Sequence, residues 1–279
     1  MSYRIVIDSC GELSEGMKAS GHFQSVPLTL MVDEFSIVDD ETFDQADFLK
    51  KVAESPNCPK SSCPSPESYW AAYDCGADHI YAVTLSANLS GSYNSAVLGK
   101  NMYQEEHPDA KVYVFNSRSA SIGETLIGLK IQECEEKGMS FEEVVENVEH
   151  YIAAQNTWFV LENLETLRKN GRLSKVKAFV ATALKIKPVM GATSEGEIMQ
   201  LDQARGMNKA LMKMVDYIAE KTERAETRTL AISHCNAPER AQMVRDELMK
   251  RLPFRDSILL DTAGVSTMYA NDGGIIVVA

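Results

Sequence analysis

Several kinds of chemistry have no residues to carry them in this 279-residue chain. Its six cysteines, Cys10, Cys58, Cys63, Cys75, Cys134 and Cys235, form no Cys-x-x-Cys pair and join no His at zinc-ligand spacing. Asp8 has no second and third carboxylate at useful spacing, so no metal and no cofactor are expected. Scattered cysteines in a chain of this size read as reduced thiols in a cytosol. Basic residues are scarce, 28 Lys and Arg against 40 Asp and Glu, for a net charge of −12. That argues against the broad basic face that nucleic acids and anionic membranes require. No apolar run approaches the ~20 residues of a membrane span. The opening residues, Met1 to Asp8, read as a strand and not as a signal peptide. The expectation is a cytoplasmic protein with no integral membrane segment. The Gly-x-Ser-x-Gly elbow of serine hydrolases is missing too. The five histidines, His22, His79, His107, His150 and His234, stand apart from the serine-rich motifs described below. A serine nucleophile needs a positioned base, so no catalytic residue is assigned.

What the chain does contain is an alternation of short β-rich runs with helical periodicity. Strands are expected over 4–7, 26–32, 80–85 and 111–115. Helices are expected from 44, over 65–74, 93–104 and 122–137, and after a capping box at Ser140-Phe141-Glu142-Glu143. Alternation of this kind means βαβ units and a mainly parallel sheet. After 157–161 the texture changes. A short helix over 164–169, capped by Asn163 and ended by Gly171, continues helically over 178–184. A hairpin follows, 186–192 and 198–203 about Ser194-Glu195-Gly196. Helices over 207–221 and 238–251 and strands over 229–233, 257–260 and 275–278 complete the pattern. The reading is an α/β/α domain over 1–157 and an α+β domain over 158–279.

Two serine-rich stretches stand out. Leu85-Ser86-Ala87-Asn88-Leu89-Ser90-Gly91-Ser92-Tyr93 joins a strand to a helix, and Ser61-Ser62-Cys63-Pro64-Ser65 precedes a helix that starts with Pro66 at its first position. Strand-turn-helix junctions aim free N–H groups and the positive end of a helix dipole at one spot. Hydroxyls beside that spot suit a small anion. Serine is also common in turns and caps for purely local reasons, and both readings stand on the residues alone.

Taken together, the motifs resemble the DegV family. The resemblance rests on Asp8-Ser9-Cys10, Ser61-Ser62-Cys63-Pro64-Ser65, Leu89-Ser90-Gly91-Ser92-Tyr93, Asn116-Ser117-Arg118, Gly171-Arg172-Leu173-Ser174, Ile186-Lys187-Pro188 and Arg205-Gly206, in family order along nearly the whole chain. It implies a fatty-acid-binding protein that buries a long-chain acyl group between two domains. In the best-understood branch such a protein is the non-catalytic subunit of a fatty acid kinase and presents the carboxylate to a separate catalytic subunit. On that pattern Ser61, Ser62, Ser90 and Gly91 lie at the carboxylate, while Arg172 and Arg205 lie at the tunnel mouth or face the partner. The chain departs from the family near its C-terminus. There the pattern His-x-Gly-Pro-Gly, whose His contacts the carboxylate, reads Ala270-Asn271-Asp272-Gly273-Gly274. Tyr269 offers a phenol beside the missing imidazole. The competing expectation is an enzyme acting on a small carboxylated or phosphorylated metabolite in the same cleft. A long apolar tunnel favours the binder; a short polar pocket with a His or carboxylate beside Ser90 favours the enzyme.

Overall fold

The structure, a computed structural model, describes residues 2–173 and 185–279. In chain order its elements are β1 (Tyr3–Asp8), α1 (Glu15–Ala19), β2 (Phe23–Val26), β3 (Thr29–Val32), β4 (Phe35–Val38), α2 (Gln45–Glu54), β5 (Lys60–Ser62), α3 (Pro66–Tyr73), β6 (His79–Thr84), α4 (Ser92–Glu106), β7 (Lys111–Asn116), α5 (Ile122–Glu136) and α6 (Phe141–Ala154). They are followed by β8 (Thr157–Val160), α7 (Glu165–Lys169), β9 (Ile186–Ala192), β10 (Ile198–Arg205), α8 (Met207–Lys221), β11 (Thr229–His234), α9 (Pro238–Arg251), β12 (Asp256–Asp261), α10 (Gly264–Ala270) and β13 (Ile275–Val278). Among the described residues no helix is long and apolar enough to cross a membrane.

The first sheet, β2-β1-β6-β7, is wholly parallel. Both of its faces are covered, so its central strands carry unbroken apolar runs, Ile5-Val6-Ile7 in β1 and Ile80-Tyr81-Ala82-Val83 in β6, in place of an alternating pattern. Val6, Ile80 and Ala82 pack against Tyr69 and Tyr73 of α3 and Ala96 of α4. Ile5, Ile7, Tyr81 and Val83 pack against Ile127 and Ile131 of α5 and Val144 and Val148 of α6. This is the expected α/β/α layering. The second sheet runs β10-β9-β8-β13-β11-β12, with only β11 and β12 parallel, and all of its strands come from 157–278. One face packs on α8 and α9 through Trp158, Val160, Ile275 and Val277. Because side chains alternate along a strand, Phe159 and Ile276 point the other way. That other face meets α5, whose Ile122 and Leu126 pack on Ala231 and Val278. The N-terminal half of α5 is therefore buried all round, as a helix shared by two sheets must be.

A third, small sheet, β4-β3-β5, corrects two expectations. The run 26–32 is two strands, not one. Pro27 has no N–H to give a ladder, and Leu28 donates its own N–H to Ser9 Oγ at 2.9 Å. So β2 ends in the parallel sheet and β3 starts in the antiparallel one. The stretch at Ser61 is not a turn: Ser61 and Ser62 lie on β5, opposite Leu30 and Thr29. Ser65 does cap α3, its side chain accepting from the Ser68 N–H. The capping box at Ser140 forms as expected. The N-cap position of α7 is Leu164, one residue after the expected Asn163, whose side chain instead accepts from the Glu165 N–H at 3.1 Å. The hairpin about 194–196 is present between β9 and β10. The helical stretch expected over 178–184, and Ser174, fall outside the described residues.

Candidate functional site

Strand β6 delivers the second serine stretch to the carboxyl end of the parallel sheet, where open α/β folds place ligands. The chain turns there because Leu89 and Ser90 both donate their N–H to Ser86 O, at 2.9 and 3.1 Å. Ser90 Oγ accepts the Ser92 N–H at 3.2 Å and lies 3.2 Å from Ser92 Oγ. Gly91 occupies the N-cap of α4 and has no side chain with which to cap it. The first serine stretch lies against this turn, with Cys63 Sγ 3.8 Å from Ser95 Oγ in the first turn of α4. Close approach of α3 and α4 holds the two together. A Cβ on Gly99 would come within 2.5 Å of Pro66 O and 2.8 Å of the Tyr69 Cβ.

Between the first sheet's carboxyl end and the inward face of the second sheet lies a cavity. Its walls enclose about 850 Å³ of space, its open end included. The first half of the chain lines it with Leu28, Leu85 and Leu89, and the second with Phe159, Leu161, Leu167, Ile198, Val265 and Ile276. Ser61, Ser90, Arg172, Tyr269 and Ala270 also line it. Strand alternation separates the neighbours on β5, so Ser61 faces the cavity while Ser62 is exposed and outside its lining. Gly91 is likewise exposed and outside it. Arg172 forms part of the wall, donating from Nε to Leu89 O at 3.1 Å and from Nη1 to Asn170 O at 2.5 Å. Arg205 is elsewhere. It is exposed at the end of β10, in a surface groove with Asn208, Lys209 and Asp216 of α8.

Other residues of interest have structural partners. Lys187 pairs with Glu162 at 2.7 Å, and Arg240 pairs with the same carboxylate at 2.7 Å. His234 lies 3.3 Å from Asp261 and accepts the Ala237 N–H at 3.4 Å, away from the cavity. Asp8 ties β1 to β6 by accepting the N–H of Leu85 at 3.0 Å and of Cys10 at 3.1 Å. Among the described residues that line the cavity there is no His, Asp or Glu. A base to activate Ser90 is thus missing from its walls.

The sequence reading missed a buried acid cluster behind the cavity. Asp8, Cys10 and Glu124 bring donor atoms within 4.8 Å of one another, a grouping with the composition of a small metal site. Glu124 arrives on α5, so its place beside Asp8 is set by the fold and not by spacing. Burial pushes Asp8 up to about 6 and Glu12 up to about 7. Burial, then the charge of Asp8, pushes Glu124 well above the usual carboxylate range, and the Cys10 thiol rises for the same first reason. Burial thus favours the neutral, protonated forms of these groups. Ser119, Ser121, Thr157 and Ser266 were missed as lining residues as well, although Ser119 and Ser121 directly follow the recognised Asn116-Ser117-Arg118 motif. Their hydroxyls are committed within the protein: Ser119 Oγ lies 2.7 Å from Thr157 Oγ1, Ser121 Oγ donates to Glu12 at 2.8 Å, and Ser266 Oγ donates to Cys10 O at 3.0 Å.

Comparison with known proteins bears on the whole chain. The sequence model of the DegV family, described as uncharacterised proteins, matches residues 2–279. A DegV domain-containing protein of Streptococcus pneumoniae is 36% identical over 254 residues, 91% of this chain and 89% of that one. A crystal structure of a DegV family protein from Ruminococcus gnavus, refined with vaccenic acid, has 56% identity and a TM-score of 0.98 over 100% of both chains. The structure of the Streptococcus pneumoniae fatty acid kinase B3 protein loaded with linoleic acid has 32% identity and a TM-score of 0.90, covering 100% of this chain and 99% of that one. In motif order, in sheet topology and in full-length similarity, this chain belongs to the DegV family.

Proposed function

We propose that this protein binds a long-chain fatty acid in the cavity between its two sheets and presents the carboxylate to the catalytic subunit of a fatty acid kinase. In this reading the chain divides into domains at 157/158, acts in the cytoplasm and performs no chemistry itself. The observation that carries it is a cavity walled mainly by apolar side chains, with Ser61 and Ser90 among its hydroxyls and, among the described residues, no His or carboxylate in its lining. Each buried methylene contributes about 0.8 kcal/mol, so a sixteen-carbon chain gains on the order of 10 kcal/mol before association costs. The head group then fixes direction, with Ser61 and Ser90 as its hydrogen-bond donors. The relatives seen with vaccenic and linoleic acid, one of them a fatty acid kinase B3 protein, support both the ligand and the partner.

Arg205, exposed and remote from the cavity, is assigned to the kinase interface and not to the ligand. Arg205→Glu is expected to leave fatty-acid affinity unchanged and to slow acyl-phosphate formation with a bacterial fatty acid kinase catalytic subunit. Equal turnover by the variant and the wild type would remove Arg205 from that interface. The binding reading is tested by mass spectrometry of the isolated protein, native and then after denaturing extraction. A stoichiometric fatty acid is expected. No lipid, with no uptake from a panel of added acids, would return the reading to a cleft for small metabolites.

A further inference from the structure

Among the described residues no His lines the cavity, and of the two arginines in its wall, Arg118 and Arg172, the latter has its Nε and Nη1 groups engaged with backbone carbonyls. Tyr269 is differently placed. Its phenolic oxygen lies 3.3 Å from Ser61 Oγ and belongs to the cavity wall. That separation is long for a bond between hydroxyls, which favour roughly 2.7–2.8 Å. The two groups therefore satisfy each other weakly. Two donors 3.3 Å apart can, however, both point at one acceptor placed about 2.7 Å from each.

The ring is held for such a role. It sits at the end of α10, whose N-terminal N–H groups, those of Gly264 and Val265, are gripped by Asp39 at 2.7 and 2.8 Å. Asp39 also accepts from Ser9 Oγ at 2.9 Å, fixing α10 to the end of β1. The Arg172 guanidinium lies over the Tyr269 ring, 5.7 Å from its centroid. Burial raises the phenol's pKa, while Ser61 and the Arg172 charge pull it back, so the group keeps its proton and acts as a donor.

We infer that Tyr269 is a head-group donor, closing with Ser61 on the same carboxylate oxygen and fixing the orientation of the ligand. This rests on the fatty-acid reading above. A phenol donates but does not take up positive charge as an imidazole can, so this head-group site relies on hydrogen bonds and on the fixed Arg172 charge.

The test compares Tyr269→Phe with wild type, using oleic acid and its methyl ester as probes. The ring remains, so α10 keeps its packing, and the thermal midpoint checks this. Hydrogen bonds to charged groups contribute about 1.5–3 kcal/mol, so oleate is expected to bind on the order of tenfold or more weakly to Y269F. Methyl oleate, which carries no charge, is expected to bind both proteins alike. With carboxyl-labelled oleate, the NMR titration of the bound acid is expected to move to higher pH in the variant. Ser61→Ala and Y269F should be non-additive, because the two donors share one acceptor. Unchanged oleate affinity and ligand titration in Y269F would overturn the inference while leaving the binding reading intact. If wild type itself takes up no oleate, it is the binding reading that fails.

Discussion

At the scale of single residues, the least ordinary feature is the set of carboxyl groups behind the cavity. Asp8 and Asp39 are pushed up to about 6 and Glu12 to about 7, and Glu124 is pushed well above the usual carboxylate range, all mainly by burial. An acid whose folded pKa lies above its unfolded value binds its proton more tightly in the folded state. Its contribution to stability is complete below the unfolded value, near 4, and is lost as pH rises through the folded value. For a group displaced as far as Asp8 or Glu12 the loss is about 3 kcal/mol. Stability by urea unfolding is thus expected to be higher at pH 5 than at pH 8. Glu124→Gln, neutral at every pH and close in shape, should match wild type at pH 5 and exceed it at pH 8. A variant that followed the wild-type slope would show that Glu124 does not govern the pH response. None of this was visible in the sequence, because Glu124 and Asp8 are brought together by the packing of α5 on β1.

At the scale of elements, the cavity is closed by a contact between the two halves. The tip of the β9–β10 hairpin docks on the second serine turn: Ser86 Oγ donates to Gly196 O at 2.8 Å, and Asn88 Nδ2 donates to Glu195 O at 2.7 Å. Gly196 has φ of +76°, and a Cβ there would lie 2.4 Å from Ser86 Oγ and 2.7 Å from the Arg118 Cα. Gly196→Ala is expected to cost about 2 kcal/mol or more and to speed release of bound fatty acid. An unchanged midpoint and release rate would show that the latch does not hold the cavity shut. The hairpin itself was legible, since Ser194-Glu195-Gly196 separates two β-rich runs. So were the parallel strands β1, β6 and β7 and the caps of α3 and α6, whose signals are local. The edge strand β4, the short helices α1 and α10, and the strand at Ser61 were not. Their residues carry little periodicity, and Ser61 is a strand residue only because β3 lies beside it. For the same reason the motif stretch named Ser61 and Ser62 together, and only the fold sends one inward and the other to solvent.

At the scale of the whole molecule, the cavity joins two sheets that otherwise meet mainly through α5. Leu85 and Leu89 come from one side and Phe159, Leu161 and Ile276 from the other, so a bound acyl chain touches both. A ligand that binds only the folded state stabilises it by about 2.7 kcal/mol at a hundred times its dissociation constant. For a chain of this size that is a rise of about 5 °C or more in the thermal midpoint. If the apolar walls supply the affinity, the rise must depend on chain length. Each pair of methylenes removed gives up about 1.6 kcal/mol, more than a tenfold loss in affinity. Delipidated protein is therefore expected to melt lower than protein as isolated and to recover with oleate. At equal concentration, octanoate should leave the midpoint almost unmoved. Equal protection by octanoate and oleate would mean that recognition ends at the Ser61–Ser90 head group and that the apolar walls do not hold an acyl chain.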